Sequence, residues 1–290
     1  MRYEAMGTNW AVTLWDDIPN NRYEALHEEI LRRTESFERT YSRFIPDSFI
    51  SRISTQVGVI ETPPDLVPML RLYRALYTPS LKKLNPLIGN TISDLGYDAT
   101  YSLRRKETIR KTPDLLETLR ILDDTHIEIR EPALIDLGAL GKGYFVDRLA
   151  EYLEEEGVRE YLVDGSGDIR YQREAGIIRA GLEDPEDHTK AIGVLELVGK
   201  GAFCASSGSR RKWANLTHTI DPSTNTSPTE VLAVWVLAKE AALADALATC
   251  LSFAPPDNFR PAHDFEHCVM KTGRQVFLSS GFNAQIFLSS

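Results

Sequence analysis

The order in which hydrophobic periods follow one another along the chain limits the fold more than any other feature. Helical spacing dominates early: Tyr23, Leu26, Ile30, Thr34 and Phe37 follow the turn at Pro19-Asn20-Asn21, and Leu66, Met69, Tyr73 and Leu76 follow Pro63-Pro64-Asp65. A third helical pattern, Phe145, Leu149 and Leu153 within Tyr144–Glu156, stops at Gly157. Strands dominate afterwards. Segments 160–163, 169–171, 177–182, 192–198 and 231–238 read as extended, and residues from Val269 onward suggest two or three closing strands. Asn9 to Trp15 alternates like a half-buried strand, and 119–129 reads as two short strands about Asp123-Asp124. One helix, 240–252, interrupts the second half and ends before Pro255-Pro256. Strands and helices therefore do not alternate as a doubly wound parallel sheet requires, and the class is α+β. No repeat or linker divides residues 1–290, which read as one domain.

Charge narrows the function. With 33 Lys+Arg against 42 Asp+Glu, the net charge is −9. That balance excludes a general nucleic-acid binder or a polybasic membrane-surface protein, both of which need surplus cations on one face. The most apolar window, 231–253, is broken by Lys239, Glu240 and Asp245, so membrane insertion is not expected. Cys204, Cys250 and Cys268 form no Cys-x-x-Cys, and no signal-peptide stretch follows Met1, so a reduced, cytoplasmic protein is expected.

Four motif matches fail. Gly165-Ser166-Gly167 has Arg170 where a dinucleotide loop needs its third glycine, and a strand follows it. Gly141-Lys142-Gly143 lacks both the leading glycine of a phosphate loop, replaced by Asp136, and its Ser or Thr. Asp164 to Asp168 has calcium-loop spacing, but Ile169 replaces the required glycine. His263-x-x-Glu266-His267 matches an inverted zinc-protease pattern, yet no carboxylate follows Glu266 to complete the metal's ligands.

Three segments remain. Asp245 and Thr249, four apart on a helix, share one face among alanines and leucines. A carboxylate and a hydroxyl there suit a hard cation such as Mg2+, although a solvated stripe with Glu240 and Ser252 would have the same spacing. Asp136-Leu-Gly-Ala-Leu-Gly-Lys142-Gly143 places glycines, a lysine and a carboxylate at a helix entry, which describes an anion site or a capping loop. Thr217-His218-Thr219-Ile220-Asp221-Pro222 leaves a strand in a turn, with a histidine able to titrate near neutral pH.

Together these segments resemble the ApbE family of FAD:protein FMN transferases. The run DLGALGKGYFVD from Asp136 to Asp147 is similar to that family's first motif, HTIDPSTN from His218 to Asn225 to its second, and ADALAT from Ala244 to Thr249 to its third. Met6-Gly7-Thr8 and Ser42-Arg43-Phe44 with Asp47-Ser48 extend the resemblance toward the N-terminus. It implies a single α+β domain of mixed or antiparallel sheet packed with helices, T-fold-like. It also implies Mg2+-dependent transfer of FMN from FAD to a Thr or Ser of an acceptor flavoprotein, with release of AMP.

By the same resemblance, Asp245, Thr249 and the Ala139 carbonyl would hold the metal. Met6, Phe44, Asp136, Lys142 and Thr219 would contact FAD, as would Asp94-Leu95-Gly96, and His218 would be the base or phosphate partner. The chain departs from the family pattern at Leu95 (usually Trp), Ser166 (usually Gly), Ser223 (usually Arg) and Asn225 (usually Gly). Those departures motivate two alternatives: an FAD carrier without chemistry, or a pyrophosphatase giving FMN and AMP.

Overall fold

The computed structural model describes residues 1–208 and 212–287. Strands β1 (Arg2–Ala5) and β2 (Thr8–Leu14) form an N-terminal hairpin, and helix α1 (Asn20–Tyr41) buries Leu26, Ile30, Thr34, Phe37 and Tyr41 on one face. Helix α2 (Phe49–Ile53) starts at Ser48, whose Oγ accepts the Ser51 amide at 3.1 Å. Strand β3 (Gly58–Glu61), helix α3 (Leu66–Tyr77) and helix α4 (Gly89–Asp94) follow. Helix α5 (Leu115–Thr118) runs into β4 (Leu119–Ile121) and β5 (His126–Ile129). Helix α6 (Gly141–Glu155) ends at Gly157, whose φ of 75° favours glycine.

The second half builds the main sheet. Its strands are β6 (Tyr161–Asp164), β7 (Asp168–Asp184) and β8 (Asp187–Ser207), then a small hairpin of β9 (Lys212–Trp213) and β10 (Leu216–Thr217). After these come β11 (Val231–Ala238), helix α7 (Ala241–Cys250), and strands β12 (Phe265–Lys271), β13 (Gln275–Leu278) and β14 (Gln285–Ile286). The order is β1-β2-β6-β7-β8-β11-β12-β13, with β14 added to β8. The smaller sheet is β3-β5-β4. Every pairing of named strands is antiparallel. The α+β class expected from the periods is the class observed.

Two local expectations change. Segments 169–171 and 177–182 are not separate strands but parts of β7, and 192–198 is the middle of the 21-residue β8. The polar run between them stays extended because β8 pairs with it on both sides of a register break between Arg173 and Ile178. Strand β1 was not expected, since Arg2–Ala5 carries two charges in four residues; it is held by pairing with β2.

Side-chain alternation gives the central strands two buried faces. Ala202, Cys204, Val234 and Val236 pack toward α1, α6 and α7 with Trp10, Phe37, Phe145 and Leu247. Phe203, Ala233 and Trp235 point the other way, into a second core with Leu182, Leu195, Met270 and Phe282. Burial on both sides explains the unbroken apolar run of β11. Each such Val, Leu or Phe contributes about 1.5–3 kcal/mol of hydrophobic stabilisation. A third cluster of Ile88, Ile92, Leu95, Trp213, Leu216 and Ile220 fastens the β9–β10 hairpin to α4. Among the described residues, no helix is long and apolar enough to cross a membrane.

Candidate active site

The site grows from the contact between α6 and α7. A Cβ on Gly143 would lie 2.4 Å from the Ala241 carbonyl oxygen and 2.7 Å from the Asp245 Cβ, so only glycine lets the two helices approach this closely. Four residues on, Asp147 reaches the start of α7 and accepts the Ala241 and Ala242 amides at 2.9 and 2.8 Å. It serves as an N-cap supplied by a neighbouring helix. Burial pushes its carboxyl up to about 6 against the pull of those amides and of Arg170. One turn into α7, Asp245 Oδ2 accepts the Gly143 amide at 3.1 Å. Asp245 is only 6% exposed, which rules out the solvated-stripe reading of this helix.

Asp136 is fixed from several directions. Its amide donates to the Pro86 carbonyl at 2.7 Å, its Oδ1 accepts the Gly138 amide at 2.7 Å, and its Oδ2 pairs with Arg43 Nε. The buried Tyr73 hydroxyl braces the same loop, donating to the Asp136 carbonyl and accepting the Ala139 amide, both at 3.3 Å. Lys142 pairs with the buried Asp168. Arg43 also donates to the Tyr97 carbonyl at 2.9 Å and lies 4.2 Å over the Phe44 ring. Its Nη2 is buried without a hydrogen-bond partner among the described residues. Sequence reading quoted Arg43 but gave it no role; its importance shows only in space.

The turn carrying His218 is tied down at Asp221. Lys83 Nζ donates to both Asp221 carboxylate oxygens at 2.7 and 2.6 Å and lies 2.5 Å from Ser223 Oγ. Burial raises the Asp221 carboxyl, but Lys83 and Ser223 outweigh it and hold the group below its usual range. Asn225 adopts φ 58° where glycine is usual, a conformation asparagine tolerates. Lys83 therefore stands beside the position where the family pattern carries an arginine.

These pieces surround one cavity of about 1780 Å³, ample for a dinucleotide. Met6, Phe44, Asp136, Ala139, Lys142, His218, Thr219, Asp245 and Thr249 all line it, as do Arg43 and Lys83. One part of its wall is aromatic. Phe44 and Tyr101 stack at 5.2 Å with an interplanar angle of 2°, and Tyr97 and Trp213 at 5.3 Å and 15°. Asp164 lines it too, its carboxyl raised by burial.

The Asp94-Leu95-Gly96 segment packs behind the cavity wall. None of the three lines the cavity. Asp94, 2% exposed, accepts Lys106 Nζ at 2.7 Å and Arg110 Nε at 2.7 Å. Burial opposes its ionisation, but those cations hold its carboxyl well below the usual carboxylate range. Leu95 is drawn into the Ile88–Trp213 cluster, and its carbonyl accepts Trp213 Nε1 at 2.9 Å. The segment supports the aromatic wall from behind, while Tyr97, Tyr101 and Trp213 present the rings. Sequence reading missed these three because Tyr97 and Tyr101 lie outside helices and strands and Trp213 lies in a two-residue strand, too short to show a period.

Among the described residues, no group of three or more His, Cys, Asp or Glu side chains could hold a metal alone. The donors facing the cavity on α7 are one carboxylate and one hydroxyl, with the Ala139 segment opposite. A hard cation there would complete its shell from phosphate oxygens and water.

The ApbE family profile matches residues 6–266. The FAD:protein FMN transferase of Escherichia coli (strain K12) is 26% identical over 281 residues, covering 88% of this chain and 78% of that one. That of Haemophilus influenzae is 27% identical over 274 residues, covering 86% and 78%. Among solved structures, the flavin transferase ApbE from Vibrio cholerae superposes with a TM-score of 0.80 at 21% identity over 97% of each chain. The ApbE protein from Thermotoga maritima gives 0.83 at 20% identity, again over 97% of each. Identities this low establish a shared fold, and the profile adds the sequence pattern across nearly the whole length. The chain belongs to the ApbE family.

Proposed function

We propose that this protein is an FAD:protein FMN transferase that, with Mg2+, moves the FMN half of FAD onto a Thr or Ser hydroxyl of an acceptor flavoprotein and releases AMP. The observation that carries this reading is the convergence, in one cavity, of the α7 oxygen pair, the cationic side chains of Arg43, Lys83 and Lys142, and a stacked aromatic wall. The relatives named above are called FAD:protein FMN transferases, which supports the transfer itself.

The residues fit both groups. Asp245 and Thr249 offer hard oxygen donors of the kind Mg2+ takes, and a bound cation would balance the nearly buried Asp245 carboxylate. The cation would neutralise charge building on the pyrophosphate as its bridge breaks. Arg43, with a buried Nη2 lacking a partner, supports an anionic or carbonyl group at the cavity wall. Lys142 adds positive charge beside the α6 N-terminus, where backbone amides favour anions. Tyr97, Tyr101, Phe44 and Trp213 suit a flat ring system.

In the transfer, the acceptor hydroxyl oxygen bonds to the FMN phosphorus and the bond to the AMP oxygen breaks. His218 holds the proton that the hydroxyl loses. The Lys83–Asp221 clamp keeps the His218 turn in place, and Lys83 returns a cation to the neighbourhood of Ser223. That clamp, which orders the turn carrying His218, favours transfer over mere flavin storage.

The test is incubation with FAD, MgCl2 and an acceptor protein, followed by chromatography for AMP and flavin fluorescence on a denaturing gel. Equal amounts of AMP and covalently labelled acceptor are expected. Free FMN without labelled protein would identify a pyrophosphatase, and retained FAD without AMP a carrier.

A further inference from the structure

One feature of the cavity mouth is left unused by this chemistry. Segment 104–111, Arg-Arg-Lys-Glu-Thr-Ile-Arg-Lys, holds five cations and one anion in a chain whose net charge is −9. Lys106 and Arg110 are spent on Asp94, which staples the segment to the end of α4. The Lys106 amide adds a bond to the Asp94 carbonyl at 2.8 Å, and the Leu103 amide one to the Gly96 carbonyl at 2.8 Å. Gly96 fits because a Cβ there would lie 2.7 Å from the Arg104 nitrogen. Arg104, Arg105 and Lys111 are exposed and have no ion pair among the described residues.

The position of these three cations decides what they face. Tyr101 and Leu103, just before this segment, line the cavity, whereas Arg104, Arg105 and Lys111 do not. Ligand enclosed in the cavity is thus met by Lys142 and Arg43, while Arg104 and Arg105 directly follow the lining residue Leu103 and stand exposed outside the lining, as does Lys111. Tyr101 and Leu103 are themselves about half exposed, at 51% and 50%, and add apolar surface beside the charge.

We propose that this lip is the docking surface for the acceptor, and that it takes an acidic segment flanking the acceptor's hydroxyl residue. The inference rests on the transferase reading above and names the chemistry of its protein partner. A fixed, exposed cationic rim at the mouth of a negatively charged protein draws acidic chains into register and repels basic ones. Tyr101 and Leu103 would then grip the residues nearest the hydroxyl as it enters.

The experiment uses the full chain loaded with FAD and two short fluorescein-labelled peptides, each with a central Thr, one flanked by Glu and one by Lys. Fluorescence anisotropy at low and physiological salt should show the Glu peptide binding about tenfold or more tightly than the Lys peptide, with the gap shrinking as salt rises. The R104Q/R105Q/K111Q variant should lose that preference and R104E/R105E/K111E reverse it, with FAD affinity unchanged in both. Equal binding of the two peptides, a preference unaltered in the glutamine variant, or lost FAD affinity in that variant would each overturn the proposal. Should the Glu peptide bind as described while no FMN reaches any acceptor, transfer fails and the docking surface stands. Should transfer proceed while the peptides bind alike, the docking surface alone fails.

Discussion

Replacing Asp147 by alanine should destabilise the protein by an amount that depends on pH in a defined direction. The substitution strips two buried amides at the start of α7 of their acceptors. Each unsatisfied buried donor costs about 1–3 kcal/mol, so the loss is about 2–6 kcal/mol at acidic pH. Against this stands the cost of keeping the carboxylate charged in the interior. Its pKa rises from 3.8 to about 6 in the folded protein, with burial as the leading cause. A shift of about two units corresponds to about 3 kcal/mol. Because the folded state holds the proton more tightly, the wild type loses that amount as pH rises from about 4 to about 6, and the change is complete above the folded pKa. The alanine variant has no such group, so its deficit relative to wild type should shrink by about 3 kcal/mol over the same range. Urea unfolding of both proteins at about pH 4 and about pH 7.5 measures the difference, and most other titrations cancel between them. A deficit that stayed constant, or grew with pH, would mean that the amides dominate and that burial does not govern this carboxyl.

Three further outcomes follow from the site's geometry. Lys83→Met should lower turnover about tenfold with little change in FAD affinity, since it frees the Asp221 turn that carries His218. Adding Ser223→Arg should restore much of it, and steady-state kinetics showing a wild-type Lys83→Met enzyme would remove the clamp from the account. Gly143→Ala should cost about 1–3 kcal/mol or more, because its Cβ would sit 2.4 Å from the Ala241 carbonyl oxygen; thermal unfolding at an unchanged midpoint would contradict that packing. Trp213→Leu should weaken FAD binding about fivefold by unstacking Tyr97, measured by fluorescence titration, and an unaltered affinity would place the flavin elsewhere.

The helices with clean periods, α1, α3 and α6, were legible because burial on one face is written directly into spacing. The carboxylate at Asp245 was legible for the opposite reason: an ionisable group among alanines and leucines needs a partner. What stayed hidden depends on contacts distant in sequence. Residues 172–176 separate two expected strands, yet β7 runs through them, with β8 pairing at Gln172 and Arg173 and again from Ile178. Arg43 joins Asp136 across 93 positions and Lys83 joins Asp221 across 138, so no local pattern announces either. The Leu95 position shows what order along the chain leaves open. It matches a flavin-contacting segment by order along the chain, yet packing turns it into the Trp213 cluster, and the rings come from its neighbours.

The proposed transfer depends on the α7 carboxylate facing the cavity. Intact mass of an acceptor protein after incubation with FAD and MgCl2, compared between wild type and Asp245→Asn, tests it most directly. The wild type should add one phosphoriboflavin unit to the acceptor and release an equal amount of AMP, while Asp245→Asn should retain FAD and leave the acceptor mass unchanged. An Asp245→Asn enzyme that labels the acceptor at the wild-type rate would contradict the proposal that this residue holds the cation on which transfer depends.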